Sequence, residues 1–405
     1  MRRKIIKTMS LIVVLVLLFT LCACGNSGDD TTADSGDSEN TRPALNIGVL
    51  TMLNLTEDET EDLVAATVVA NRTLRRDFIE STRGEDETRQ TRDASERPTN
   101  EDGTPVRRGP EINVTFYDSL DSMLMALNAG DITSMSVYLS TANYLCATNE
   151  DLVINNSNID ETVDNTYSRI VTRGILSNSF SFLMLDSNTA LRDEFNTAIQ
   201  AMKDDGTLDT LISEQIEAYK NGSEIKAVSL PQIAGAETVK VAVTGALPPM
   251  DYVAADGSPA GFNTAVLAEI SQRIGKNIEI VVVDSIGRAA ALSSGTVDVV
   301  FWTRTSDVAN NLADDDTAMD RVTQAKAEMN DRELRALERI DSLIDFKDFG
   351  KLDMPEGTII TSSYFTDRIV QVTTKENKEK QDAERESRRA ERESERAAQQ
   401  SETSK

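Results

Sequence analysis

The second half of the chain alternates between two hydrophobic patterns from residue 238 to residue 302. Short apolar runs predict buried strands, because a strand covered on both faces of a sheet needs consecutive apolar residues. The stretches 264–274 and 289–293 have helical periodicity, and a glycine follows shortly after each as a C-terminal cap. The predicted strands are 238–243, 278–283 and 297–302. Strands alternating with helices predict βαβ units and a largely parallel sheet.

The first half, residues 45–222, repeats this alternation. A helical pattern extends from about 57 to 79, and a shorter one covers 122–128. The segment 186–220 predicts a long amphipathic helix with a break near 205–206. The predicted strands are 46–50, 112–116 and 135–139. Both halves therefore have the pattern of an α/β fold.

Several segments lack this regular pattern. Residues 81–111 are rich in charged and turn residues, which predicts a disordered insertion. Residues 223–237 have no clear period and are interpreted as a linker. Residues 307–346 are charged and helix-prone, which indicates a surface insertion before strand character returns at 358–373. The tail 374–405 is expected to be disordered or a solvated single helix, because it lacks coiled-coil a and d positions.

The N-terminus has the features of an export signal. Positive charges among the first seven residues precede the apolar run 11–21, which is too short to span about 30 Å of hydrocarbon. The sequence Leu21-Cys22-Ala23-Cys24 resembles a bacterial lipobox, which predicts cleavage before Cys24 and lipid on its sulfur. Residues 1–23 would then be a lipoprotein signal peptide and 24–44 a flexible tether to the extracellular face of the cell membrane. The alternative is an ordinary secretory signal with incidental cysteines.

Composition narrows the possible chemistry. The chain has no histidine and three cysteines, which excludes histidine-dependent catalytic triads, histidine-ligated metals and a four-cysteine zinc site. With 42 Lys and Arg against 68 Asp and Glu, the formal net charge is −26, which argues against nucleic acid as a partner. The acid-rich runs at 85–87 and 314–316 lack the spacing of a calcium loop. No cofactor and no metal are therefore expected.

A series of motifs follows the first strand of the second half in a fixed order. Pro248-Pro249 precedes an Asp256-Gly257 turn, Gly261-Phe262-Asn263 opens a helix, and Ser294-Gly295-Thr296-Val297-Asp298 precedes the third strand. This order resembles the first lobe of the bacterial extracellular solute-binding proteins, family 3, over residues 242–302. Asn263 replaces the family's usual Asp and remains a competent helix N-cap.

The first half is similar to the second lobe of the same family. Residues 47–54 resemble its opening strand and turn, 116–138 its next strand, helix and strand, and 191–216 its closing helices. The lobes would then occur in exchanged order, with 45–222 as lobe two and 238–373 as lobe one. Such a permutation is tolerated with little loss of stability where the termini of a compact domain lie close together. The alternative is two independent half-modules of shared ancestry.

The resemblance implies a two-lobed periplasmic-binding-protein-like (type II) α/β fold, in which each lobe is a small, mostly parallel sheet flanked by helices. It implies that a small polar solute, most often an amino acid, is trapped between the lobes and delivered to the permease of an ABC transporter without catalysis. One alternative is a sensor or adhesion lipoprotein that keeps the fold but has lost transport. Another is an enzyme whose cleft carboxylates act as acid and base, as in cell-wall lytic proteins that share this lobe.

Three positions depart from the family's binding pattern. In the family, an aromatic residue after Pro-Pro stacks on the ligand, an Arg beyond the third strand binds the carboxylate, and a lobe-two Asp binds the amine. Here Met250 replaces the aromatic residue and Tyr252 follows, Arg304 comes directly after Trp302 and Thr303, and Tyr138 falls near the Asp position. The resemblance therefore makes Tyr252, Arg304 and Tyr138 candidate ligand-binding residues. Arg304 would offer a bidentate fork, or else be a solvated loop arginine.

Four further residues are candidates for the same site. Arg288 starts a predicted helix where many family members also carry an Arg, which implies a role at the ligand or the hinge. Trp302, the only tryptophan, would stack on a ligand or pack in the core or hinge. Thr51 and Asn54 follow the first strand of the first half, where a helix N-terminus suits an anion, although ordinary caps would look identical. Cys146 is interpreted as a buried thiol.

Overall fold

The computed structural model describes most of the chain beyond the N-terminal segment. The described residues are 44–51, 62, 65–70, 73–74, 112–155, 167, 177–223, 225–284, 287–305, 326–343 and 355–403. The predicted signal peptide, tether and insertion at 81–111 lie outside these ranges. None of the helices in the described part of the chain combines the length and the apolar character that a bilayer crossing requires.

Strands and helices alternate along much of the described chain. The strands are β1 (Leu45–Leu50), β2 (Ile112–Tyr117), β3 (Ser134–Tyr138), β4 (Leu152–Ile154), β5 (Ser177–Leu185), β6 (Thr238–Val243), β7 (Ala246–Leu247), β8 (Asp251–Val253), β9 (Pro259–Ala260), β10 (Asn277–Val282), β11 (Val299–Thr305), β12 (Thr358–Ile360) and β13 (Phe365–Thr374). The helices are α1 (Leu120–Ala129), α2 (Leu139–Thr148), α3 (Thr189–Asp204), α4 (Thr207–Ile212), α5 (Ala218–Asn221), α6 (Phe262–Ile274), α7 (Arg288–Ser293), α8 (Asp331–Asp341) and α9 (Lys375–Thr403).

Ten of these strands form one sheet that contains the same strand order twice. Lobe A is built on the order β10-β6-β11-β5-β12, and lobe B on β2-β1-β3-β13-β4. In each lobe the first three strands are parallel, and the fourth is antiparallel to both of its neighbours. The structure is therefore a mixed α/β fold with two equivalent halves, as the resemblance implied.

The chain passes between the lobes through β5 and β13. These two strands pair antiparallel with each other, from Phe365 opposite Phe180 to Arg368 opposite Ser177. The strand β5 of lobe A lies in the sequence segment 45–222, and the strand β13 of lobe B lies in the segment 238–373, so each segment contributes a strand to the other segment's lobe. The boundaries at 222 and 238 remain predictions.

A continuous core crosses this junction. Phe180, on β5, contacts the ring of Phe301 with centroids 5.4 Å apart and the ring of Phe365 at 5.5 Å. Phe182, two residues further along β5, stacks on Tyr364 at 4.9 Å. The two crossing strands are thus fixed by aromatic packing as well as by backbone hydrogen bonds.

The insertion predicted at 307–346 is more than a surface feature in its described part. Asn330 and Glu333 form a capping box at the start of α8. Leu337 and Ile340, on the same face of α8, are buried in a small cluster with Ala66, Ala70, Leu74 and Tyr167. The helix therefore packs against the segment that follows β1, which belongs to the opposite lobe.

Candidate functional site at the lobe junction

The segment that joins β6 to α6 in lobe A folds into a small antiparallel sheet, β7-β8-β9, which we call the hairpin. Pro248-Pro249 has a cis peptide bond, and the backbone N–H groups of Phe262 and Asn263 donate to the carbonyls of Pro249 and Met250. Gly261 has φ +100°, and a Cβ there would lie 2.6 Å from the Pro249 carbonyl oxygen. The close approach of the two backbones therefore requires glycine at 261. Met250, at the position of the family's aromatic residue, is fully buried.

The hairpin holds a buried carboxyl group at Asp251. Its Oδ1 accepts hydrogen bonds from the Thr244 hydroxyl at 2.7 Å and the Gly245 N–H at 2.6 Å. Its Oδ2 accepts from Asn263 Nδ2 at 3.2 Å, and Asn263 Oδ1 accepts from the Tyr364 hydroxyl at 2.7 Å. Burial raises the pKa of Asp251, although the hydrogen bonds from Thr244 and Gly245 and the positive charge of Arg288 act in the opposite direction.

The sequence analysis did not identify Asp251 as a site residue. A signal was present, because Asn263 replaces the family's Asp at the start of α6 while Asp251 supplies a carboxyl group a few residues earlier. The contact between these two side chains places Asp251 and Asn263 in one network.

Arg288 is the first residue of α7 and is fully buried. Its Nη1 donates to the carbonyl oxygen of Phe301 at 2.9 Å, and its Cζ lies 5.4 Å from the centre of the Trp302 ring. Burial lowers the pKa of Arg288, an effect opposed by Asp251 and Tyr138. The guanidinium therefore contacts β11 and Trp302 from within lobe A.

Trp302 is only 4% exposed and packs with Leu183, Leu292 and Val300 beneath α7. Within the described part of the chain, its Nε1 has no hydrogen-bond partner. Arg304 lies two residues further along β11, opposite Ser179 of β5. The side chain of Arg304 lies outside the described part of the structure.

Tyr138 ends β3 of lobe B and is buried against the crossing strand β5. Its hydroxyl accepts a hydrogen bond from Asn178 Nδ2 at 3.0 Å, and its ring meets Phe180 edge-to-face at 5.1 Å. Beside it, the carboxyl group of Asp367 accepts from the Ser140 N–H at 3.1 Å. Burial raises the pKa of Asp367.

Tyr252 belongs to a different group of side chains, on β8. The Tyr252 side chain is half-buried, and burial together with the neighbouring Tyr252 side chain raises the pKa of Tyr219, on α5. Tyr219 in turn meets the ring of Tyr144, on α2 of lobe B, with centroids 5.0 Å apart and an interplanar angle of 78°. Neither Tyr144 nor Tyr219 was identified from the sequence, since no local pattern links positions so far apart.

The remaining candidates lie apart from these groups. Thr51 follows β1, and its hydroxyl donates to Asp118 Oδ1 at 3.4 Å. Asn54 and Cys24 lie outside the described residues. Cys146 is a half-buried free thiol whose pKa is raised by burial. Within the described ranges, no group of three or more Cys, Asp or Glu side chains could hold a metal ion.

Comparisons with known proteins agree with the resemblance in lobe A. The family model of the bacterial extracellular solute-binding proteins, family 3, matches residues 239–309, which begin in β6 and extend beyond β11. The recognition of this family from the sequence is therefore confirmed for this stretch. No curated protein matches the chain.

Solved structures that resemble this chain at low identity include several ligand-binding proteins. One is the ligand-binding component of an ABC-type import system from Staphylococcus aureus with zinc bound (9% identity, 82% of this chain and 66% of that chain, TM-score 0.28). Another is AgaA of A. tumefaciens R10 in complex with agropinic acid (14%, 65% and 55%, 0.31). A third is an ancestral arginine-binding protein bound to glutamine (11%, 84% and 88%, 0.31). This chain thus spans less than two thirds of the length of the first two.

Proposed function

We propose that this protein is a lipid-anchored extracellular solute-binding protein that captures a small polar solute, most often an amino acid in this family, by closing lobes A and B. The captured solute would be delivered to the permease of an ABC transporter, and no reaction would be catalysed. The family match of residues 239–309 supports solute binding and the transporter partner. The identity of the solute and the lipid anchor rest on residue-level arguments.

One observation carries the binding proposal: parallel strands of both lobes point their carboxyl ends at the crossing of β5 and β13. Thr305, at the end of β11, lies opposite Asn178 of β5. Tyr138, at the end of β3, lies opposite Ile369 of β13. Ligands of open α/β sheets bind outside the carboxyl ends of the strands. The junction between the lobes is therefore the expected ligand cleft.

Within this cleft we assign roles by position. Arg304, near the end of β11, would bind a carboxylate of the solute. Tyr252 would contact the solute from β8. Thr51 and Asn54, in the segment after β1, would bind an anionic group of the solute. Arg288 and Trp302 are already engaged inside lobe A and would support the cleft rather than bind directly. Tyr138 would link the cleft to the crossing strand β5 through its contacts with Asn178 and Phe180.

Calorimetric titration of the purified full chain against amino acids and small polar metabolites tests this function. Trp302 is the only tryptophan, so its fluorescence reports independently on changes at the junction. We expect one solute class to bind and to change this fluorescence. A panel in which nothing binds would overturn the proposal.

Two variants test the role of Arg304 with the solute that the panel identifies. Arg304→Ala is expected to weaken binding by about 2–5 kcal/mol, the range for truncating one partner of a buried charge pair. Arg304→Lys should also lose affinity, because a point charge cannot reproduce a planar fork. If both variants bind within about twofold of wild type, Arg304 does not bind the carboxylate.

The lipid anchor has its own test. Cys24→Ala is expected to abolish lipidation and to release the protein from the membrane fraction. Mass spectrometry of the wild-type N-terminus would show a lipid-modified Cys24 after cleavage of the preceding 23 residues. An uncleaved, unmodified N-terminus on membrane-associated protein would refute the anchor.

A further inference from the structure

Three half-buried tyrosines meet where lobe A, lobe B and α5 come together: Tyr144 on α2, Tyr219 on α5 and Tyr252 on β8. We call these residues the tyrosine cluster. The rings of Tyr144 and Tyr219 are edge-to-face with centroids 5.0 Å apart, and the side chain of Tyr252 neighbours that of Tyr219. Each side chain keeps part of its surface accessible.

The electrostatic environment of the tyrosine cluster favours a cation. Burial raises the pKa values of Tyr144 and Tyr219, so both phenols are neutral at physiological pH. The neighbouring Tyr252 and the carboxylate of Asp121, in the first turn of α1, raise the pKa of Tyr144 further. The formal net charge of −26 adds a negative field over the whole molecule.

Neutral aromatic rings gathered near a carboxylate have a specific ligand chemistry. The face of each ring carries negative charge density and attracts a cation within about 6 Å of its centre. A primary ammonium group brings three N–H donors that need acceptors, whereas an alkylated ammonium group brings none or few. Ring faces therefore suit an alkylated ammonium better than a primary one.

We propose that the tyrosine cluster binds the ammonium group of an alkylated ammonium solute, such as a choline or a betaine. This inference rests on the proposed function, because it takes the cluster as one wall of the solute cleft. A betaine would also carry a carboxylate for Arg304, so the two proposed contacts are compatible.

Calorimetry of the full chain with four probes tests the ligand class. The probes are choline, glycine betaine, ethanolamine, and 3,3-dimethylbutanol, the uncharged isostere of choline. We expect choline or glycine betaine to bind, and both ethanolamine and dimethylbutanol to bind at least about fivefold more weakly than the better of the two. Equal binding of dimethylbutanol would show apolar packing alone, and tighter binding of ethanolamine would show a primary-amine site; either result would overturn the proposal.

Substitutions locate the site. Tyr144→Leu and Tyr219→Leu should each weaken binding of the ammonium probe about fivefold or more, since each removes a ring face. Tyr144→Phe and Tyr219→Phe keep the rings and should stay within about threefold, which guards against simple loss of folding. Tyr117→Leu, at the end of the edge strand β2, is the matched control and should bind as wild type. Leucine variants that bind like wild type would overturn the proposal.

The solute panel separates this inference from the proposed function. If an amino acid binds and no ammonium probe does, the ammonium proposal fails while solute binding stands. If neither the panel nor the ammonium probes bind, both fail.

Discussion

Two buried carboxyl groups, one in each lobe, flank the junction. Asp251 accepts hydrogen bonds from Thr244, Gly245 and Asn263 in lobe A, and Asp367 accepts from the N–H groups of Ser140 and Arg368. Burial raises the pKa of both. A carboxyl group with a raised pKa holds its proton more tightly in the folded state than in the unfolded state. Its contribution to stability is therefore full below its ordinary pKa of about 3.9 and is lost as the pH rises through the raised value.

This linkage predicts the behaviour of Asp251→Asn. The substitution removes one titrating group, so the free energy of unfolding should fall less steeply above about pH 4 than in wild type. Urea denaturation at several pH values measures the two slopes. Asp256→Asn is the control, because hydrogen bonds from Ser258 lower the pKa of this exposed carboxyl group, and its contribution disappears only at low pH. Identical slopes for wild type and Asp251→Asn above pH 4 would contradict the assignment.

The hairpin glycine gives a second residue-scale prediction. Gly261→Ala forces a Cβ to 2.6 Å from the Pro249 carbonyl oxygen and 2.7 Å from that of Met250. Backbone strain and this clash together should cost about 3 kcal/mol or more. Gly257→Ala, also at positive φ but with no neighbour within 4 Å, should cost only about 1 kcal/mol. Similar denaturation midpoints for the two variants would show that the hairpin can relax.

Among the elements, α8 packs against residues that follow β1, although its many charged residues predict a surface helix. Leu337→Ala should lower the free energy of unfolding by about 2–4 kcal/mol, because Leu337 is buried against residues that follow β1. Leu334→Ala, on a partly buried position of α8, should cost clearly less and serves as the control. Chemical denaturation measures both. Equal, small effects would mean that α8 does not pack as described.

The sequence predicted the elements whose hydrophobic pattern is regular and missed those whose buried face is polar. All the strands expected in 238–302 are present, as is α6. The strand β5 was missed because buried serines at 177, 179 and 181 interrupt its apolar run, and α2 because Ser140 and Thr141 are buried. In the site, Arg288 and Trp302 were identified, but Asp251, Tyr144 and Tyr219 depend on contacts between elements that no local pattern records.

At the scale of the whole molecule, the two lobes share one strand order and exchange one strand each. In lobe B, β3 lies between β13 and β1. Val372, near the end of β13, is opposite Met135, and Ile47, near the start of β1, is opposite Ser134, so these two parts of the chain lie at the same end of the strands. Two strand spacings separate them, about 10 Å. The exchanged lobe order predicted from the sequence would place a former chain connection here.

A rearranged chain tests that prediction. Residues 223–374 would be followed by a six-residue Gly/Ser linker, with a mean reach of about 13 Å, and then by residues 45–222. This chain should fold with a similar free energy of unfolding and bind the same solute, because the linker spans the gap without strain. A soluble but unfolded product would contradict the permuted order of the lobes.

Small-angle X-ray scattering of the full chain, with and without a saturating concentration of the solute found by calorimetry, tests the central claim most directly. Closure of lobes A and B about β5 and β13 predicts a smaller radius of gyration with solute than without it, and recovery of the original value after dialysis. An unchanged radius of gyration at saturation would contradict capture by lobe closure.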